Sequence, residues 1–352
     1  MSTLRGTTLQ VQNRFETRSL EAFDDGWDAN TMLDLPVVQT EFLPDHSKSI
    51  LSKNDSPDLG FTYSINVYRG CEHGCTYCYA RPTHEYLGFN SGIDFETKIM
   101  VKHDAPDLLR KAFDARSWQP QVITMSGNTD CYQPAERQFE ITRRLLEVFL
   151  EYRNPVAIIT KNALVMRDLD LLSELAKLNL VVVFHSITTL DRELARKLEP
   201  RTAAPERRLL SIERLSGAGV PCGVMIGPVI PGLNDDEILP IQKAASERGA
   251  ISVGYNMLRL PYAVKPIFLE WLDREVPLEA KKVRARIEMV RSGNMSDARF
   301  GSRMRGEGAY ADYVNRVFKI GKKRYGLDQV AFDLTTEHFR RPGDMSLFAG
   351  IP

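Results

Sequence analysis

From Ser64 to about Pro261 the chain alternates short β-branched apolar runs with stretches whose apolar residues recur at helical spacing. The runs predict strands at 64–68, 121–125, 156–160, 180–185, 223–229 and 251–257. Helices are expected between them, at 105–115, 135–152, 167–177, 204–218 and 235–247. Within the second, Phe139, Leu145, Leu146, Phe149 and Leu150 lie close to one helical face. Gly217 and Gly219, ahead of Val220-Pro221, stop the fourth. Strands alternating with helices imply βαβ units and a parallel sheet. Six strands are too few for a complete eight-unit barrel of about 250 residues, so a partial barrel competes with a doubly wound open sheet. Either geometry places chemistry at the C-terminal ends of the strands.

The flanks read differently. Residues 1–60 hold five basic and ten acidic residues, a net of −5, and are broken by Asp24-Asp25-Gly26, Leu35-Pro36 and Leu43-Pro44. With no sustained periodicity, this is expected to be an extended arm. Beyond Pro261 the pattern is helical, with one weak strand signal at 329–334. The expected organisation is therefore an arm at 1–60, a core at 61–260 and a helical C-terminal extension at 261–352.

Composition narrows the function classes. The 352 residues carry 46 Lys+Arg against 46 Asp+Glu, which argues against wholesale coating of nucleic acid by a basic protein. The segment 281–324 departs from that balance, with thirteen basic and four acidic residues, a net of +9. Phe300, Tyr310, Tyr313 and Phe318 are interleaved in it, so it is a candidate nucleic-acid surface as well as an ordinary solvated helix face. No apolar run approaches the roughly 20 residues of a membrane span, and the first ten residues lack a secretory apolar core. An odd five cysteines without such a signal suit reduced thiols, a cytoplasmic location and no membrane partner.

Three of those cysteines fall within eight residues, in Arg69-Gly70-Cys71-Glu72-His73-Gly74-Cys75-Thr76-Tyr77-Cys78. Thiolates so close in sequence can converge on a soft metal centre, zinc or iron–sulfur. Structural zinc wants a fourth ligand, for which His73 and His84 are nearby. A four-thiolate cluster would need Cys131 or Cys222. A three-thiolate cluster would leave one iron open to a non-protein ligand. A helical stripe of cysteines is the bland alternative, and Gly70, Gly74 and the Glu72-His73 pair make that helix poor.

The Cys71-x3-Cys75-x-Tyr77-Cys78 block, placed just after a first strand, resembles the radical SAM superfamily. Other blocks resemble its DNA-photolyase-like branch, which includes spore photoproduct lyase, and within it a bacterial subgroup of unestablished substrate. These blocks are Asp94-Phe95-Glu96-Thr97-Lys98, Asn128-Thr129-Asp130, Tyr132-Gln133-Pro134, Thr160-Lys161, Leu190-Asp191-Arg192-Glu193, Glu199-Pro200-Arg201 and residues 299–308. The resemblance implies a partial (β/α)6 TIM-like barrel with a [4Fe-4S] cluster on Cys71, Cys75 and Cys78. It also implies S-adenosylmethionine on the fourth iron, cleaved reductively to a 5′-deoxyadenosyl radical that abstracts hydrogen from a substrate, with nucleic acid as a candidate. The electron would come from a reductant such as flavodoxin or ferredoxin. A zinc- or cluster-containing binding protein without chemistry is the alternative.

Further site residues follow from the same resemblance. Tyr77 fills the aromatic slot of the motif. Ser126-Gly127 falls where the methionine amino group binds, Lys161 where the carboxylate binds, and Ser186 where a hydroxyl meets the ribose. Arg201 is a candidate for orienting the ligand, and Cys131 for donating a hydrogen atom.

Overall fold

The computed structural model describes residues 5–16, 39–328 and 332–342. Six parallel strands form the frame: β3 (Tyr63–Ile65), β6 (Ile123–Met125), β7 (Val156–Thr160), β8 (Val181–Ser186), β9 (Cys222–Val229) and β10 (Ser252–Met257). They pair in that order, and β2 (Leu51–Lys53) closes the β3 edge antiparallel. A second, three-stranded sheet orders β1 (Glu41–Pro44), β5 (Lys98–Val101) and β4 (Tyr68–Arg69). Its strands are short and its pairing is non-local, so hydrophobic periodicity did not reveal it. The α/β class and the six parallel units agree with expectation.

Register explains the two faces of the large sheet. Ile158 pairs with Met125 and with Val183, and Thr160 with His185, so these side chains share one face with Val224 and Ile226. That face is fully buried beneath α2 (Ala105–Asp114), α4 (Ile141–Tyr152), α5 (Leu169–Lys177), α7 (Pro205–Gly217) and α8 (Ile238–Glu247). The opposite, concave face carries Ser64, Thr124, Ala157, Ile159, Lys161, Phe184, Ser186 and Met225. Five of these, Ala157, Ile159, Lys161, Phe184 and Met225, are only half-buried. The alternation thus separates an apolar outer layer from a lining with polar members. Gly223 is required here, since a Cβ on it would lie 2.3 Å from the Phe184 ring. Phe332 packs edge-on against that same ring at 5.3 Å.

Several elements differ from the periodicity reading. The helix expected at 135–152 is broken at Glu140, whose left-handed backbone (φ 48°) separates α3 (Glu136–Phe139) from α4. Two further helices, α1 (Ile93–Thr97) and α6 (Arg192–Leu198), are too short for a periodic signal. The strand expected at 329–334 lies outside the described residues for 329–331, and 332–334 carry no strand. The helical extension comprises α9 (Val264–Glu275), α10 (Pro277–Val290), α11 (Ser302–Arg305) and α12 (Ala309–Arg324). It packs on the barrel through buried Phe268, Trp271, Val283, Ile287 and Phe318. Among the described residues no helix is long and apolar enough to cross a membrane.

Candidate metal centre and its cavity

Between β4 and a 3-10 turn at Arg81–Leu87, the cysteine segment forms an irregular loop, so the helical-stripe reading is wrong. The reason is local: Gly70 (φ 83°) and Gly74 (φ 69°) take left-handed conformations that a helix forbids. All five cysteines are free thiols. Cys71 and Cys75 are buried and Cys78 is half-buried.

The loop is held from beneath by fully paired buried charges. Arg81, with no exposed surface, donates to the Cys75, Ser91 and Gly92 carbonyls and pairs with Glu96 at 2.6 Å. Glu96 also accepts from the Gly6 amide at 2.9 Å, which ties the N-terminal segment to the loop. Glu72 accepts from Thr40 at 2.8 Å and pairs with Arg201 at 3.0 Å, while Gln133 bridges the Glu72 amide and the Gly70 carbonyl. A buried charge is tolerable only when paired, and these are.

A second network fixes Tyr77. Its hydroxyl donates to Glu199 and lies 3.1 Å from Thr188. Glu199 is paired with buried Arg208, which also donates to the Ser186 carbonyl at 2.9 Å. Burial raises the Glu199 pKa, but Arg208 and then Lys161 outweigh it and hold the carboxyl at about 2. Sequence reasoning missed Glu96, Arg81, Gln133 and Arg208. Glu96 and Gln133 stood only within resembling blocks, and Arg81 and Arg208 carried no signal, because each pairing is made by the fold.

The donor set fits an iron–sulfur cluster. Burial pushes all three thiols upward, and neighbouring charges, including the other cysteines, push Cys71 and Cys75 further. As thiolates these groups would repel one another in a low-dielectric loop, and a cationic core bound to them would offset that cost. The zinc reading lacks a fourth ligand. His73 lies 3.5 Å from Asp130 and is bonded to Asn162, and His84 is bonded to the Lys98 carbonyl. Among the described residues, no three Cys, His, Asp or Glu side chains gather for a single metal ion. Thiolates of a four-iron cluster bind separate irons and need not converge so tightly. Cys131 and Cys222 belong to the apolar core under the helices, apart from the cluster loop.

The remaining candidates divide. Lys161 and Ser186 lie on the concave face at the C-terminal strand ends. The Lys161 ammonium lies 5.9 Å from the Tyr77 ring centre and lowers the Cys75 and Cys78 thiols electrostatically. Ser126 holds a left-handed backbone (φ 73°), uncommon for a serine, and its hydroxyl accepts from the Cys131 amide at 2.9 Å. The Gly127 carbonyl accepts from Tyr79 of the cysteine loop, joining that loop to the β6 end. Arg201 is turned to Glu72 rather than standing free. Cys131 is 1% exposed among Tyr68, Glu136 and Thr142, so its thiol has no open face. In the basic extension, Phe318 is buried and Tyr310 is bonded to Asp235, which leaves Phe300 and Tyr313 exposed.

Comparison with known proteins bears on this geometry. The family model of the radical SAM superfamily matches residues 65–245. The protein Rv2578c of Mycobacterium tuberculosis is 37% identical over 252 residues, covering 70% of this chain and 72% of the relative. The protein MJ0683 of Methanocaldococcus jannaschii is 31% identical over 180 residues, covering 51% of this chain and 65% of its own. Among solved structures, a spore photoproduct lyase complexed with dinucleoside spore photoproduct superposes with a TM-score of 0.58 at 16% identity. That match covers 81% of this chain and 79% of the lyase, and at this identity it shows the fold. A partial parallel barrel, a cysteine loop at the mouth of its concave face and a family match over half its length together show that the chain belongs to the radical SAM superfamily.

Proposed function

We propose that this chain is a radical SAM enzyme whose Cys71, Cys75 and Cys78 hold a [4Fe-4S] cluster with one iron left for S-adenosylmethionine. The observation that carries the reading is a loop of three free thiols, two buried and one half-buried, in which Cys75 and Cys78 feel the charge of Lys161 at the open end of a parallel strand. When bound, the cluster and S-adenosylmethionine supply reductive sulfonium cleavage and hydrogen-atom abstraction.

The protein's part is binding and orientation. Lys161 offers a point charge for the carboxylate of the ligand. The strained Ser126-Gly127 turn brings backbone close to the amino group, and Ser186 presents a hydroxyl toward the ribose. Arg208 holds Glu199, and Glu199 holds Tyr77, so the loop keeps one geometry as the ligand enters. Ile159, Phe184 and Met225 give the concave face apolar members, which would help keep water from a reactive radical once the ligand fills the cavity.

Anaerobic purification tests the reading. A brown protein with roughly four iron and four sulfide per chain that cleaves S-adenosylmethionine under dithionite is expected. Colourless protein carrying one zinc would support the binding-protein alternative instead.

A further inference from the structure

Two adjoining grooves border the cysteine loop. The larger, about 760 Å³, is lined by Arg137, Arg167, Arg201 and Arg207 and by no carboxylate. The smaller, about 280 Å³, is lined by Arg192 and Arg196, and its one carboxylate, Glu199, is already taken by Arg208. Thr202 and Ala203 line both, so the two grooves form one surface. Arg167 and Arg201 are neutralised by Glu136 and Glu72. Arg137, Arg192, Arg196 and Arg207 are exposed, and among the described residues none of the four makes an ion pair. The exposed carboxylates next to them in sequence, Asp191, Glu193 and Glu206, line neither groove.

The floor of this surface touches the cysteine loop. The Arg201 amide donates to the His73 carbonyl at 3.2 Å, and the Thr76 amide donates to the Leu198 carbonyl at 3.1 Å. His73 and Thr76 lie within two residues of Cys75, so backbone bordering the grooves is bonded directly to the cysteine loop. A cluster that must be reduced needs a short path from a carrier. The carrier must also approach where it does not block the ligand cavity.

We propose that this four-arginine surface docks an acidic one-electron carrier protein, a flavoprotein of the flavodoxin type. The inference rests on the proposed cluster at Cys71, Cys75 and Cys78. One electron leaves the flavin hydroquinone, giving the semiquinone, and one is taken up by the oxidised cluster. Exposed charges of one sign steer an oppositely charged partner and set its association rate, and small, weak interfaces are usual for electron-transfer pairs.

The test compares two reductants on the reconstituted protein. In a variant combining Arg137→Glu, Arg192→Glu, Arg196→Glu and Arg207→Glu, reduction by an acidic flavodoxin hydroquinone at low salt is expected to slow by about tenfold or more. Reduction by dithionite is expected to keep its wild-type rate. The milder pair Arg137→Gln with Arg207→Gln guards against misfolding and should show a smaller loss in the same direction. Raising salt to about 1 M should slow the wild-type reaction toward the variant's. An unchanged flavodoxin rate, or an equal fall with dithionite, overturns the proposal. So does loss of single-stranded oligonucleotide binding with flavodoxin reduction intact, which would assign the arginines to nucleic acid. If no cluster forms in the wild type, the proposed function fails on its own. Calorimetry with flavodoxin then judges the surface separately: salt-sensitive binding lost in the variants keeps it, and no binding removes it.

Discussion

Gly6 and Gly74 meet backbone to backbone: a Cβ placed on Gly6 would lie 1.7 Å from the Gly74 carbonyl oxygen. The contact packs the N-terminal segment against the cysteine loop, and the Gly6 amide is held there by Glu96. Gly6→Ala must therefore displace one of the two segments. Overpacking of this kind costs about 1–3 kcal/mol, and lower iron retention is expected with the lower thermal midpoint. Gly60→Ala, where nothing lies within 4 Å, is the matched control and should change neither.

His185 sits on the helix-covered face with neither ring nitrogen bonded. Burial first, then Arg208, pushes its pKa down to about 3, against an opposing pull from Asp130. The folded protein therefore keeps this imidazole neutral, while the unfolded chain takes up a proton near the ordinary histidine value of about 6.5. Stability from this group is present above that value and is lost as pH falls, by up to about 1.4 kcal/mol per unit. His185→Leu should flatten the acid side of a stability–pH curve measured by denaturant unfolding. An unchanged slope would mean that the histidine is bonded in solution.

Lys161 is the charge that the ligand carboxylate is proposed to meet. Removing one charge-assisted contact costs about 1.5–3 kcal/mol, so Lys161→Met should weaken S-adenosylmethionine binding by about 10- to 100-fold. Iron content should stay at the wild-type level. Equilibrium dialysis with the reconstituted protein separates the two effects, and equal loss of iron would make Lys161 a cluster residue instead.

Cys131 was a candidate hydrogen donor from its place after Asp130, yet its thiol is enclosed by core residues. Cys131→Ala should leave S-adenosylmethionine cleavage and deuterium transfer unchanged, at a stability cost of about 1 kcal/mol. Loss of product with intact cleavage would restore the donor role.

The legible part of the site was the part written locally. Cys71, Cys75 and Cys78 stand within eight residues, so a thiol-rich loop suited to a soft metal centre was a candidate without coordinates. Lys161 and Ser186 were legible as strand-end residues because β7 and β8 carry strong apolar runs. Arg81–Glu96 and Tyr77–Glu199–Arg208 were not, since an ion pair is formed by residues that only folding brings together. Arg201 shows the same limit: as a lone arginine it suited a ligand, and the fold gives it to Glu72.

By itself the amino-acid order determined the alternation of strands and helices, the parallel sheet and the thiol-bearing loop, because each depends on residues close in sequence. Only the tertiary structure decided which face of each strand opens to the cavity, which buried charges hold the loop, and that Cys131 is enclosed. Those outcomes depend on register and on contacts between distant segments, which pattern along a chain does not encode.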